Sequence, residues 1–226
     1  MMMNNFNLNN KGNKDNIEIT GLTELLNKLK LQKDKKSDLE QYFTPVELAL
    51  KFLKKSDFKD KVIVDLGSGN GILGLTALLL GAKKAIFVEI DNAALDVAKK
   101  NYEFLKKNSA LGVKFGNAEF INKDISLLFK SELPKIDIAI LNPPFGTIDK
   151  NKKIDTIFLK KAMKLANKIL TMHKTASKDF IKSLLKDNKF TIIYEKDILF
   201  PINNIYQHHK QDNVNIEVTL LIAEKL

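Results

Sequence analysis

The sequence predicts a doubly wound α/β sheet of seven strands. Three observations carry this. Apolar runs of strand length alternate with helical repeats from residue 61 onward, a glycine-rich turn follows the first strand directly, and two strand patterns with no helix between them close the chain. With 226 residues and 44% apolar content the chain can bury one core. We expect an Asn-rich flexible tail over residues 1–17 and a single domain over 18–226, opening with a helical segment over 18–60.

Each element has its own signal. "LTELLNKLKLQ" spaces Leu22, Leu25, Leu26 and Leu29 as a helix does, and "VELALKFLKK" predicts a second helix, with Thr44 as its cap and Pro45 in its first turn. "KVIVDLG" is a buried strand and "NGILGLTALLLG" a helix ended by Gly81. "KAIFVEI" is the second strand, and "NAALDVAKKNYEFLKKN" is a long helix capped by Asp91. "AEFINKDI" and "IDIAILN" are the next strands, with helical material around "SLLFK" between them. "DTIFLKKAMKLA" is helical, "KILTMHK" a short strand and "ASKDFIKSLLKDN" a helix. "FTIIYEKDILF" and "NIEVTLLIAEK" are the closing strands.

Composition narrows the chemistry. There is no cysteine, and three scattered histidines make no metal cage, so no metal site is expected. No apolar run approaches the ~20 residues of a membrane span, and the N-terminus lacks the apolar centre of a secretory signal. A cytoplasmic protein is expected, or a nuclear one in a eukaryote. The net charge of +10 rests on lysine alone, which points to a polyanionic partner, although a codon bias toward Lys, Asn and Ile would produce the same excess.

The turn "DLGSGNGILG", Asp65 to Gly74, satisfies G-x-G-x-x-G, but Asp65 would face a pyrophosphate unfavourably. It suits a cationic ligand instead. S-adenosylmethionine has no phosphate and carries a sulfonium and an ammonium beside an adenosine. Glu89 ends the second strand, where a carboxylate can accept both ribose hydroxyls, and Asp124 with Ile125 follows the third, suited to an adenine amino group and its apolar wall.

"LNPPFGT", Leu141 to Thr147, ends the fourth strand. An exocyclic amine on a nucleobase is a poor nucleophile because its lone pair is delocalised into the ring. The Asn142 side-chain oxygen and the Pro143 carbonyl can each accept one of its N–H groups, and both bonds strengthen as the nitrogen gains positive character. Pro143 and Pro144 fix φ and add no competing donor, while Phe145 is expected to offer a flat face to an extruded base.

These residues resemble the methyltransferase-like protein five family, ribosomal RNA adenine-N6 methyltransferases, and its archaeal relatives. The likeness runs from about Leu22 to the C-terminus through "LEQYFTP", "VIVDLGSGNGILG", "VEIDNAAL", "LNPPFGT", "HKT" and "PINNIYQHHKQDNVNIEV". It implies a Rossmann-like class I S-adenosylmethionine-dependent methyltransferase. Cofactor contacts are implied from Gln41, Thr44, Gly67, Asn70, Ile72, Glu89, Asp124, Ile125 and Asn142, with Asn142, Pro143, Pro144 and Phe145 as the catalytic motif. Glu89 and Asn70 depart from the aspartate and small residue of the family pattern. A structured RNA, namely small-subunit ribosomal RNA, is the implied substrate, and a small zinc-binding Trm112-like protein the implied partner. Lys150, Lys152, Lys153, Lys174, His173, His209 and Lys210 are expected on the RNA side, with a satisfied histidine at a strand end as the equal alternative for His173. Alternative activities on the same scaffold are guanine-N2 methylation of rRNA and glutamine-N5 methylation of release factors. A noncatalytic RNA-binding assembly factor is a more remote one.

Overall fold

The computed structural model describes residues 20–32, 39–40, 42–108, 115–145, 153–202 and 214–225. The stretch 1–17, Gln41, Lys150, Lys152, His209 and Lys210 lie outside the described residues. Short runs of aliphatic residues form five parallel strands: β1 (Val62–Leu66), β2 (Lys84–Glu89), β3 (Asn117–Asn122), β4 (Ile138–Leu141) and β5 (Lys168–Lys174). The two long closing strands, β6 (Phe190–Ile202) and β7 (Val214–Lys225), pair with each other, and β7 inserts antiparallel beside β5. The sheet order is β3-β2-β1-β4-β5-β7-β6.

Helices cover both faces. On one lie α1 (20–26), α2 (Val46–Leu53), α3 (Ile72–Leu79) and α4 (Asn92–Asn108), with Leu26, Phe52, Leu75 and Leu105 in one core cluster. On the other lie α5 (Ile154–Leu165) and α6 (Lys178–Asp187), with Leu159, Met163, Ile181 and Leu185 in a second. Strand alternation sorts the side chains: Ile63, Phe87, Ile138 and Ile140 enter the first cluster, and Val64, Val88, Ala139 and Leu141 the second. Helix α4 buries Ala94, Leu95, Ala98, Asn101, Tyr102 and Leu105, one stripe at helical spacing.

Three local expectations change. The first helix stops at 26, and residues 30–32 leave it as irregular backbone. The "SLLFK" region makes two short 3-10 turns, Ile125–Leu127 and Lys130–Glu132. Thr44 does not cap α2. Pro45 holds the N-cap position, and the Thr44 hydroxyl accepts a hydrogen bond from Asn142 across the sheet edge.

Helix α3 is buried over almost its whole length, and Gly74 is what lets it lie so close to the sheet. A Cβ at Gly74 would run into the Phe87 ring, with Cζ at 2.9 Å, and would meet Asp65 Oδ2 at 3.0 Å. Phe87 cannot swing away freely because it is stacked on Phe120 at 4.9 Å between centroids. Helix propensity favours alanine over glycine by ~1 kcal/mol, whereas overpacking a filled core costs ~1–3 kcal/mol. Gly74→Ala is therefore expected to lower stability, read as a fall in the urea midpoint at unchanged m-value.

Candidate active site

The β1–β4 pair is the topological switch point of the sheet, where consecutive crossovers leave in opposite directions and a crevice opens at the strand ends. Its register sets Leu66 against Leu141, so Gly67 and Asn142 emerge side by side. One cavity lies there. Asp65, Gly67, Asn70, Ile72 and Glu89 line it from β1, β2 and the glycine turn. Asp124 and Ile125 line it from the turn after β3, Asn142 and Pro144 from the end of β4, and Thr44 from the N-terminal side.

The glycine turn is fixed by side chains at its rear. The Asp65 carboxylate, 1% exposed, accepts the Gly74 N–H at 2.8 Å. Gly67 has φ +70° and donates to the Val88 carbonyl at 2.9 Å, and a Cβ on it would stand 2.7 Å from the Phe158 ring. Asn70 accepts from the Ile72 N–H at 3.4 Å, and the Asn70 carbonyl accepts from Asn101 Nδ2 at 3.0 Å. Glu89 uses one lone pair of each oxygen on backbone, Oε2 accepting from Gly69 at 2.9 Å and Oε1 from Asp91 at 3.0 Å. The remaining lone pairs can serve ribose hydroxyls. Asp124 is exposed and accepts the Ser126 N–H at 2.8 Å, which caps the turn that places Ile125. Asp91 accepts the Ala93 N–H at 3.3 Å, as a cap of α4 should, and also the Gln32 side-chain amide at 2.9 Å.

At the end of β4, Asn142 Nδ2 donates to Thr44 Oγ1 at 3.0 Å, and Asn142 Oδ1 is buried with no hydrogen-bond partner. Pro143 is buried beneath the turn, while Pro144 lines the cavity. Phe145 differs from its expected open face. It is 5% exposed, with Tyr42 stacked on it at 5.8 Å and Phe200 edge-on at 5.5 Å, because Tyr42 and Phe200 converge on it from the two ends of the chain. His173 is not on an RNA-facing surface. It is fully buried in β5, with Nε2 2.9 Å from Thr171 Oγ1 and Nδ1 3.2 Å from Asp155 Oδ2, so it ties β5 to the start of α5. Lys153 is exposed at the N-cap of α5, and Lys174 is half-buried at the end of β5.

Sequence reasoning missed Gln32, Asn101 and Tyr42. Asn101 clips the segment after α1 from both sides, accepting the Lys30 N–H at 2.8 Å and donating to the Lys30 carbonyl at 3.0 Å. Its one visible signal was a polar residue on the apolar stripe of α4.

Three features suit a cationic adenosyl ligand. Two buried carboxylates, Asp65 and Glu89, share the cavity wall. Two side-chain polar atoms in the same wall, Ser68 Oγ and Asn142 Oδ1, are buried without partners, and the positive φ of Gly67 leaves room beside Phe158. Burial pushes the Asp65 carboxyl from 3.8 up to about 7; the Gly74 N–H opposes the rise and the Glu89 charge adds to it. Burial raises Glu89 as well, against the Asp91 and Gly69 N–H groups. The folded protein thus holds a proton on Asp65 that the unfolded chain releases near pH 4, and its stability on this account falls as pH rises from about 4 through about 7. A bound cation reverses the preference. S-adenosylmethionine affinity is expected to rise with pH up to about 7, by as much as about tenfold per unit. Calorimetric titration checks this, and Asp65→Asn should flatten the profile.

A family model described as "Conserved hypothetical protein 95" matches residues 47–198. An uncharacterized protein of Methanocaldococcus jannaschii is 35% identical over 214 residues, covering 91% of this chain and 93% of that one. The rRNA N(6)-adenosine-methyltransferase METTL5 of Danio rerio is 30% identical over 189 residues, 81% of this chain and 87% of that one. A solved structure of a proposed RNA methyltransferase from Pyrococcus horikoshii superposes with a TM-score of 0.75 at 31% identity, covering 92% and 98% of the two chains. The crevice at the switch point, its paired acids and these likenesses agree: the chain belongs to the family of the METTL5 methyltransferases and their archaeal relatives, and is an S-adenosylmethionine-dependent methyltransferase.

Proposed function

We propose that this enzyme methylates N6 of an adenine in structured RNA, and that the RNA is small-subunit ribosomal RNA. The observation that carries the proposal is the unpartnered Asn142 Oδ1. Leaving a buried acceptor unpaired costs ~1–3 kcal/mol, and an amine N–H recovers that loss. Thr44 occupies the other end of the amide, so the oxygen is the free acceptor. S-adenosylmethionine, when bound, supplies a methyl group on a sulfonium. Asn142 takes one N–H of the target amine and the Pro143 carbonyl the other, and both bonds tighten as charge develops on nitrogen. Phe145 stacks the flipped base once Tyr42 has parted from it.

The RNA assignment draws support from the net charge of +10 and from the relatives named as rRNA methyltransferases. A Trm112-like zinc-binding protein is the proposed partner. Among the described residues β3 ends the sheet with no strand on its outer side, an edge that a partner strand can extend.

The test is transfer of labelled methyl to unmethylated ribosomal RNA, with and without such a partner, followed by identification of the nucleoside by mass spectrometry. N6-methyladenosine is expected, and Asn142→Ala should slow its formation about 10²–10³-fold at saturating cofactor. Label on guanine or on a release factor overturns the proposal. Tight RNA binding without transfer would make the protein a noncatalytic assembly factor.

A further inference from the structure

A groove of about 560 Å³ runs between α2 and β6, outside the cavity described above. Helix α2 contributes Lys51, the turn after it Lys55, and β6 contributes Tyr194, Lys196 and Leu199. It adjoins the active site directly: Thr44 lines the cavity and the next residue, Pro45, lines the groove.

The two faces of β6 treat charge differently. Glu195 and Asp197 point toward α6, where Lys178 bonds Asp197 at 2.7 Å and Lys182 bonds Glu195 at 2.6 Å, so the lysines there are neutralised. Tyr194, Lys196 and Ile198 occupy the alternate face, in line with Phe200, whose ring meets Phe145 of the catalytic turn at 5.5 Å. Lys51, Lys55 and Lys196 are exposed and make no ion pair among the described residues, and Lys55 lies 5.9 Å over the Tyr194 ring. Against these three lysines the groove wall carries one acid, Glu47. Four residues of extended strand, ~13 Å, separate Lys196 from Phe200.

We infer that this groove is the track by which the RNA backbone reaches the methylation site, with Lys51, Lys55 and Lys196 holding its phosphates. The inference rests on RNA being the substrate. It places the phosphate contacts on α2, on the turn that follows it and on β6. An anionic strand fits because three unpaired cations around one groove attract a polyanion and release its counterions, whereas an apolar protein helix or strand would leave the three ammonium groups unmatched.

The experiment compares the full chain with a Lys51→Ala/Lys55→Ala/Lys196→Ala variant. Binding of a fluorescent ribosomal RNA fragment is measured by anisotropy from 50 to 300 mM salt, and methyl transfer is followed in parallel. Lys182→Ala, on α6 against the neutralised face of β6, is the control. The expected result is a plot of log affinity against log salt shallower by about 2, a higher KM for RNA, and an unchanged kcat at saturating RNA. Lys182→Ala should match wild type, and Lys196→Glu alone should weaken RNA binding more than Lys196→Ala. Equal slopes for the triple variant and wild type overturn the inference. So does unchanged RNA affinity combined with lost binding of a Trm112-like protein, which would make the groove a protein interface. The slopes need no turnover, so absence of N6-methyladenosine counts against the proposed reaction and not against the track.

Discussion

The register of β1 against β4 is the constraint on which the site depends. These strands are parallel, adjacent and level at their C-terminal ends, with Leu66 opposite Leu141. A slip of one residue would turn Asp65 and Asn142 to the opposite face, because side chains alternate along a strand. Both stay on the face covered by α1 to α4, where the segment before α2 can reach them. The register is held in turn by the packing of Val64, Leu66, Ala139 and Leu141 in one cluster and Ile63, Ile138 and Ile140 in the other. Core packing and site geometry are therefore one requirement.

The second layer of organisation is a set of polar clips that bring residues 30–32 and 42–45 over the strand ends. Asn101 holds the backbone of Lys30, Asp91 holds the side chain of Gln32, and Asn142 holds the hydroxyl of Thr44. Each is a buried or part-buried hydrogen bond, whose loss would strand a polar group away from water. Asn101 also bonds the carbonyl of Asn70, so one side chain couples this segment to the glycine turn. The cofactor crevice and the chain that roofs it are coupled through α4.

Much of this was legible in the sequence where local rules decide. The strands around Asp65, Glu89 and Asn142 read correctly because apolar runs ending in a polar residue are a local pattern, and the alternation of elements set the two-faced sheet. Residues whose partners lie far along the chain were misread or missed. Thr44 resembled a helix cap because its actual partner is 98 residues away. Asn101 and Gln32 have partners 71 and 59 residues away, respectively, and nothing nearby in sequence hints at them. The sequence left His173 open between a group on the RNA side and a satisfied histidine at a strand end, and it is the second: strand alternation turns it inward, toward an acid on α5. Phe145 was expected in the open because the motif describes a turn, and a turn does not say what will pack on it.

The Tyr42–Phe145 stack bears on how such an enzyme behaves in a cell full of unpaired bases. An aromatic platform left bare would capture any purine that strayed past, and would itself be a patch prone to self-association. With each ring covering the other, the idle protein offers neither hazard. On the proposed reaction, in which Phe145 receives the flipped base, that base must compete with an existing intramolecular contact before it can enter, so loosely held or fleetingly extruded bases would be turned away and residence time would favour those presented by a fitting RNA.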